Sequence, residues 1–194
     1  MTYKKIVIEG IDGAGKDTQI KKLVDFLENT EVVKYPDPES PMGKIIMDFL
    51  KKRFDFSPET QFLLYATDML KDRQKIEKWV SEGKTVLFNR YIISTIAYQC
   101  SQWFSLEKAK NFIKLFDFPK PDVIFYLKIH PETAIKRKQK QKTGLDRFES
   151  KKDLLERVSD FYDKLEKENF LGKWIVIDGE KSPERVFEEI KKHL

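Results

Sequence analysis

The chain has 194 residues, the length of one ordinary domain, with Lys+Arg 37 against Asp+Glu 32 and a net charge of +5. Hydrophobic residues at 40% and charged residues at 36% exclude collagen-like and low-complexity chains, and the single cysteine, Cys100, excludes a disulfide scaffold and favours a reducing, cytoplasmic compartment. No apolar run approaches the roughly 18 residues of a membrane span, Met1–Lys5 does not read as a signal peptide, and the modest positive surplus suits an anionic ligand without demanding nucleic acid.

The elements alternate along the chain. Ile6-Val7-Ile8 predicts a first strand, and Ile20, Leu23, Val24 and Leu27 predict a helix after it. Val32-Val33 predicts a second strand. Ser57 and Pro58 then read as N-cap and first position of one helix running through Phe62, Tyr65, Ala66, Met69, Ile76, Trp79 and Val80 to a stop at Gly83. Thr85–Phe88, Val123–Leu127 and Trp174–Ile177 predict three further strands. Leu154, Leu155, Val158, Phe161, Tyr162 and Leu165 mark a helix by their spacing, and Ser182-Pro183 opens a last one with Val186, Phe187, Ile190 and Leu194 inward. The strands are almost continuously apolar, as strands buried on both faces of a parallel sheet are. With no repeat and no linker, residues 1–194 form a single α/β domain, a doubly wound parallel five-stranded sheet with helices on both faces. Ligands in that architecture bind at the carboxyl ends of the strands.

The first strand runs into Gly10-Ile11-Asp12-Gly13-Ala14-Gly15-Lys16-Asp17-Thr18, the spacing G-x-x-x-x-G-K between a strand and a helix. Glycines let the backbone curl its N–H groups around phosphate, the helix N-terminus adds partial positive charge, and Lys16 can reach the β- and γ-phosphates. Residues 10–18 therefore read as a loop that cradles the phosphates of a nucleotide, here ATP. One position breaks the pattern: where Ser or Thr should ligate Mg²⁺, the chain has Asp17, and Thr18 points about 100° away on the helix. A carboxylate can ligate Mg²⁺ directly or through water.

The third strand ends in Asn89-Arg90-Tyr91, followed by Ser94, Ala97, Tyr98 and Gln99. The loop G-I-D-G-A-G-K together with this N-R-Y-x-x-S-x-x-A-Y-Q resembles the thymidylate kinases, with one change from D-R-Y. Tyr35-Pro36 before Gly43, Lys120-Pro121-Asp122, Asp146-Arg147-Phe148-Glu149 and Ile177-Asp178-Gly179 extend the resemblance over residues 5 to 190. It implies a P-loop NTPase fold, Mg²⁺-dependent phosphoryl transfer from ATP to dTMP giving dTDP and ADP for dTTP synthesis, and a homodimer, with no nucleic-acid or membrane partner. By resemblance, Arg90 holds the acceptor phosphate, Asp12 approaches the sugar 3′-hydroxyl, and Tyr65, Ser94, Tyr98 and Gln99 line the acceptor site. The family takes a catalytic arginine from the P-loop or from a lid. Here the P-loop position is Gly13, which leaves the basic lid segment at about 137–150, with Arg137 and Arg147 as the arginines that clamp the transferred group.

Several positions depart from the family. Asn89 stands where an aspartate holds Mg²⁺ through water, so Asp17 and Asn89 are a linked pair in which one carboxylate has moved. Lys34–Glu39 lacks an arginine after Tyr35-Pro36. Tyr65 supplies the aromatic that stacks on the base, with the register slipped by one, but the arginine that reads the base becomes Asp68 or Met69, and Arg73 either compensates or faces solvent. These departures keep three alternatives open: a kinase for another pyrimidine monophosphate such as dUMP, a non-catalytic nucleotide-binding relative, and a nucleic-acid binder resting only on the basic run at 136–142. Cys100, Trp79, Trp103 and Trp174 read as core or half-buried packing, and His130 lacks the partners of a metal ligand.

Overall fold

A computed structural model describes residues 3–140 and 152–194. Its elements are β1 (Lys5–Glu9), α1 (Lys16–Phe26), β2 (Thr30–Lys34), α2 (Pro41–Leu50), α3 (Pro58–Leu70), α4 (Arg73–Ser81), β3 (Thr85–Asn89), α5 (Ile92–Cys100), α6 (Leu106–Leu115), β4 (Val123–Lys128), α7 (Pro131–Lys140), α8 (Lys152–Lys167), β5 (Lys173–Asp178) and α9 (Pro183–Lys191). All five expected strands form, in one parallel sheet of order β2-β3-β1-β4-β5. The three central strands are buried almost throughout, as their unbroken apolar runs require. The two edge strands are not: Val32 and Val176 stay more than a third exposed, because helices cover an edge strand incompletely.

The helix expected over 57–83 is two helices. Ser57 caps α3 by accepting from the Thr60 N–H, but the helix ends at Leu70, where Lys71 turns into a nest of carboxylates, with its Nζ 3.0 Å from Asp37 and 2.6 Å from Asp72. A new helix starts at Arg73 and stops before Gly83, whose φ of 80° breaks it. Two helices absent from the sequence reading, α2 and α6, open on Ser40 and Ser105, whose hydroxyls accept from Gly43 N and Lys108 N. Every residue of α5 is buried, and the helix packs between α3 and α8. Cys100 at its end is a free, buried thiol that burial pushes up to about 12. Trp174 is buried as expected, whereas Trp103 is 88% exposed, on a left-handed turn (φ 76°) that directs it away from the core. No helix among the described residues is long and apolar enough to cross a membrane.

Register sets up the chemistry. Ile8 pairs with Asn89 and Asn89 with Lys34, so β1, β2 and β3 end side by side. The loop after β1 therefore lies against the end of β3, with the residues of both strand ends in reach of one ligand.

Candidate active site

A cleft of about 760 Å³ opens at these carboxyl ends, floored by residues 12–18 and walled by the ends of β2 and β3 with α3, α5 and α7. The loop between β1 and α1 owes its shape partly to Gly13. With φ at +84°, a Cβ there would lie 2.8 Å from the Ala134 carbonyl oxygen, so α7 packs where a side chain would otherwise project. An arginine at this loop position is therefore sterically barred.

Lys16, only 6% exposed, donates its Nζ to the carbonyls of Gly10 (2.8 Å) and Ile11 (2.9 Å). Burial, followed by the nearby Arg90 charge, lowers its pKa to about 7. A polyphosphate bound at Lys16 would favour the ammonium form, so above pH 7 binding of ATP is expected to take up a proton, with affinity falling as pH rises by up to about tenfold per unit. Below pH 7 the lysine is already charged and this dependence vanishes. Calorimetry at pH 6.5 and 8.5 in buffers of different ionisation enthalpy reads the proton directly; zero uptake at pH 8.5 would contradict the assignment.

Beside Lys16, Arg90 pairs through its guanidinium with Asp12 Oδ1 and reaches Ser94 Oγ at 3.4 Å. Tyr98 donates to Asp12 Oδ2 at 2.9 Å, and the Asp12 N–H returns to the Tyr98 oxygen at 3.2 Å. Burial raises the Asp12 carboxyl, but Arg90 and Lys16 outweigh it and hold Asp12 well below the usual carboxylate range. Asp12 thus lies against Arg90 and Tyr98, two of the expected acceptor-site residues.

Arg90 has φ 69°, a left-handed backbone that a non-glycine residue adopts at some cost. The group packed against the residues that follow it belongs to no sequence motif. Glu9, the last residue of β1 and fully buried, accepts from Tyr91 N (2.8 Å) and Ser94 N (3.3 Å) through Oε1, and from Ser94 Oγ (2.6 Å) and Tyr162 OH (2.8 Å) through Oε2. Since Tyr91 offers α5 no side-chain cap, a carboxylate from another strand supplies one. Burial still leaves the Glu9 pKa raised.

Asp17 and Asn89 meet, as the linked reading expects. Asn89 Nδ2 donates to Asp17 Oδ1 at 2.7 Å, and Lys34 Nζ reaches the same oxygen at 2.7 Å. Burial works against ionisation at Asp17, but these donors outweigh it and keep the carboxyl below its ordinary value. Lys34 was not foreseen here; its pairing with Asn89 across β2 and β3 places it. The donor set is hard oxygen, the Asp17 carboxylate with the Asn89 side-chain carbonyl, which fits Mg²⁺. Among the described residues no cluster of three His, Cys, Asp or Glu forms a metal cage, and Mg²⁺ ordinarily takes one or two carboxylates and completes its shell with phosphate and water.

Arg137 on α7 lines the cleft and bridges two loops, donating to Gly13 O (3.3 Å) and Gly179 O (2.9 Å). Lys138 and Lys140 line the same wall. Arg147 and the rest of the lid segment after Lys140 lie outside the described residues, as do Gln141 and Lys142 of the basic run.

At the other end, Tyr65 and Met69 line the cleft with Gln99 and Thr95. Asp68 does not: it is fully buried and turned toward the loop after β2, accepting from Asp37 N (2.8 Å) and from the Ser40 hydroxyl. Of the two residues expected where the family has its base-reading arginine, only Met69 lines the cleft. Arg73 does not compensate, since it pairs with Glu77 (3.0 Å) and the Phe116 carbonyl (3.3 Å) away from the cleft.

The family model for thymidylate kinase matches residues 8–190. The chain is similar to the thymidylate kinase of Homo sapiens, with 31% identity over 191 residues covering 96% of this chain and 87% of the human one. It is 36% identical over 208 residues to that of Thermoanaerobacter sp. (strain X514), covering both chains fully. The solved thymidylate kinase from Candida albicans superposes with a TM-score of 0.80 over all of this chain and 92% of that one, a likeness of fold at 24% identity.

Proposed function

The chain belongs to the thymidylate kinase family, and from that premise we propose how its own residues carry the family's reaction. The reaction is phosphoryl transfer from ATP to dTMP, giving dTDP and ADP, by an ATP-dependent nucleoside monophosphate kinase. Residues 10–18 hold the ATP phosphates on backbone N–H groups, with Lys16 leaving the Gly10 and Ile11 carbonyls for the β- and γ-oxygens. Arg90 holds the dTMP phosphate, Asp12 the sugar 3′-hydroxyl beside Tyr98 and Ser94, and Tyr65 and Gln99 the base. One oxygen of the acceptor phosphate attacks the γ-phosphorus in line as the bond to the β,γ-bridging oxygen breaks and ADP departs. A phosphate oxygen is already ionised at neutral pH, so no general base is required, and catalysis is positioning and charge neutralisation.

Arg137 brings positive charge to the transferring group from the Gly13 side, and Arg147 is the second clamping arginine that membership of the family implies. The observation that carries this reading is the network of Asp12, Arg90, Tyr98 and Ser94, which shares one cleft with the P-loop Lys16. The homodimer rests on the family; the exposed Leu63, Trp103, Leu115 and Phe116 supply apolar surface for it. The single buried thiol suits the cytoplasm.

Asp17 and Asn89 would hold Mg²⁺ or its water shell, and the ion would supply charge neutralisation to the phosphates beside them. Asn89→Asp alone would set two carboxylates 2.7 Å apart, and Asp17→Ser alone would remove the only carboxylate of the pair. Each single change is expected to lower turnover and Mn²⁺ affinity, and the double change to recover both, with a coupling of about 0.5–3 kcal/mol. Simple additivity of the two losses would overturn this pairing.

A further inference from the structure

Two buried polar atoms on one face of α5 find no hydrogen-bond partner among the described residues: Thr95 Oγ1 and Gln99 Oε1. The residues are 3% and 1% exposed, lie one helical turn apart, and both line the cleft where α5 meets α3. An unpaired buried acceptor is costly unless a ligand supplies the donor.

Which atom of Gln99 faces the cleft is decided behind it. Gln61, on the first turn of α3 and 3% exposed, donates its Nε2 to the Phe56 carbonyl at 2.8 Å. A carbonyl can only accept, so Gln61 must turn its nitrogen that way and its oxygen toward α5. That oxygen accepts Gln99 Nε2 at 3.1 Å and Gln102 Nε2 at 3.4 Å. Gln99 is therefore obliged to spend its nitrogen on Gln61 and to present its oxygen to the cleft. Turning the amide over would set two carbonyl oxygens against each other.

We infer that Gln61 is a positioning residue for acceptor selectivity: by fixing Gln99 as a hydrogen-bond acceptor, it restricts the site to pyrimidine monophosphates with a ring N–H at position 3. This inference rests on the acceptor-site reading above. Thymine and uracil, the 4-oxo bases, carry that N–H. Cytosine, with its 4-amino group, carries a lone pair at position 3, which would face the Gln99 oxygen unpaired. The cleft-lining side chains of α2 and α3, Met47, Leu50, Tyr65 and Met69, carry no charge, and the Thr95 hydroxyl can donate or accept. The polarity of this end therefore falls to the Gln99 amide.

The test measures the dissociation constants of dTMP, dCMP and N3-methyl-dTMP by calorimetry, alongside ADP release with each. In the wild-type chain dTMP is expected to bind at least about a hundredfold more tightly than either of the others, because a site built around an N–H rejects a ligand lacking it strongly. Gln61→Met frees the Gln99 amide to turn and is expected to lower the dTMP:dCMP preference at least about tenfold, with KM for ATP unchanged. Gln61→Glu, protonated in its buried site, can serve both partners and is expected to keep the preference. Equal binding of dTMP and N3-methyl-dTMP by the wild type, or an unchanged dTMP:dCMP ratio in a folded Gln61→Met, would overturn the inference. The wild-type arm needs no variant to fold. Discrimination in binding without ADP release would support the relay and count against the reaction instead.

Discussion

Arg90→Met is expected to lower kcat/KM for dTMP by about a thousandfold or more, with KM for ATP little changed. Arginine offers a fixed fork of N–H groups that can grip a phosphate while still touching Asp12, and removing a positioned cation from a phosphoryl-transfer site commonly costs about 10³–10⁵ in rate. The geometry here adds a second penalty. Asp12 is held ionised largely by Arg90, so the variant leaves a partly buried carboxylate beside the place where the anionic acceptor must sit. Arg90→Lys separates the two effects: it keeps a charge near Asp12 but loses the fork, and should fall between the wild type and the methionine variant. Steady-state kinetics with dTMP varied at saturating ATP measures both. A loss under tenfold in Arg90→Met would remove Arg90 from the acceptor site.

Glu9→Ala should act first on the fold. Removing the carboxylate strands the Tyr91 N–H in a buried place and leaves the Ser94 and Tyr162 hydroxyls only each other as acceptors, and losing one partner of a buried charged network typically costs about 3–5 kcal/mol. For a chain of this size that corresponds to a melting temperature lower by roughly 6–20 °C. Because the same carboxylate steadies the start of α5, where Arg90 holds its left-handed backbone, activity should fall further than the unfolded fraction explains. Glu9→Gln, which keeps an acceptor oxygen, should lose less of both. Thermal unfolding followed beside kcat at 20 °C checks the pair, and a Glu9→Ala variant melting within about 2 °C of wild type would contradict the role.

The strands and the phosphate loop were legible because each rests on a local signal: unbroken apolar runs for β1, β3 and β4, and a glycine spacing between a strand and a helix for residues 10–18. The ends of helices were less so. Ser40-Pro41 carries the same cap signature as Ser57-Pro58 and Ser182-Pro183, yet the short α2 behind it went unread, and the continuous periodicity over 57–83 hid the break at Lys71, which depends on carboxylates from two segments. Within the site, Lys16, Asp12, Arg90 and the Asp17–Asn89 pair could be placed because each sits in a motif or departs from one. Glu9, Lys34 and Gln61 could not, since their partners lie across the sheet or on another helix: Glu9 meets Tyr162 from α8, Lys34 meets Asp17 from α1, and Gln61 meets Gln99 from α5. Glu9 alone left a trace, a charged residue closing an otherwise apolar buried strand just before Gly10. Asp68 illustrates the opposite error, a side chain at the right sequence position whose backbone and hydroxyl partners turn it out of the cleft.

ADP release from ATP and Mg²⁺, with dTMP, dUMP and other nucleoside monophosphates offered singly, decides whether the cleft transfers phosphate and to which acceptor. Robust turnover with dTMP is expected, and it would also establish that Asp17 and Asn89 support a working metal site. Binding of ATP and dTMP with no ADP released from any acceptor would contradict the proposed reaction, and would mark the chain as a family member that holds nucleotides without transferring phosphate.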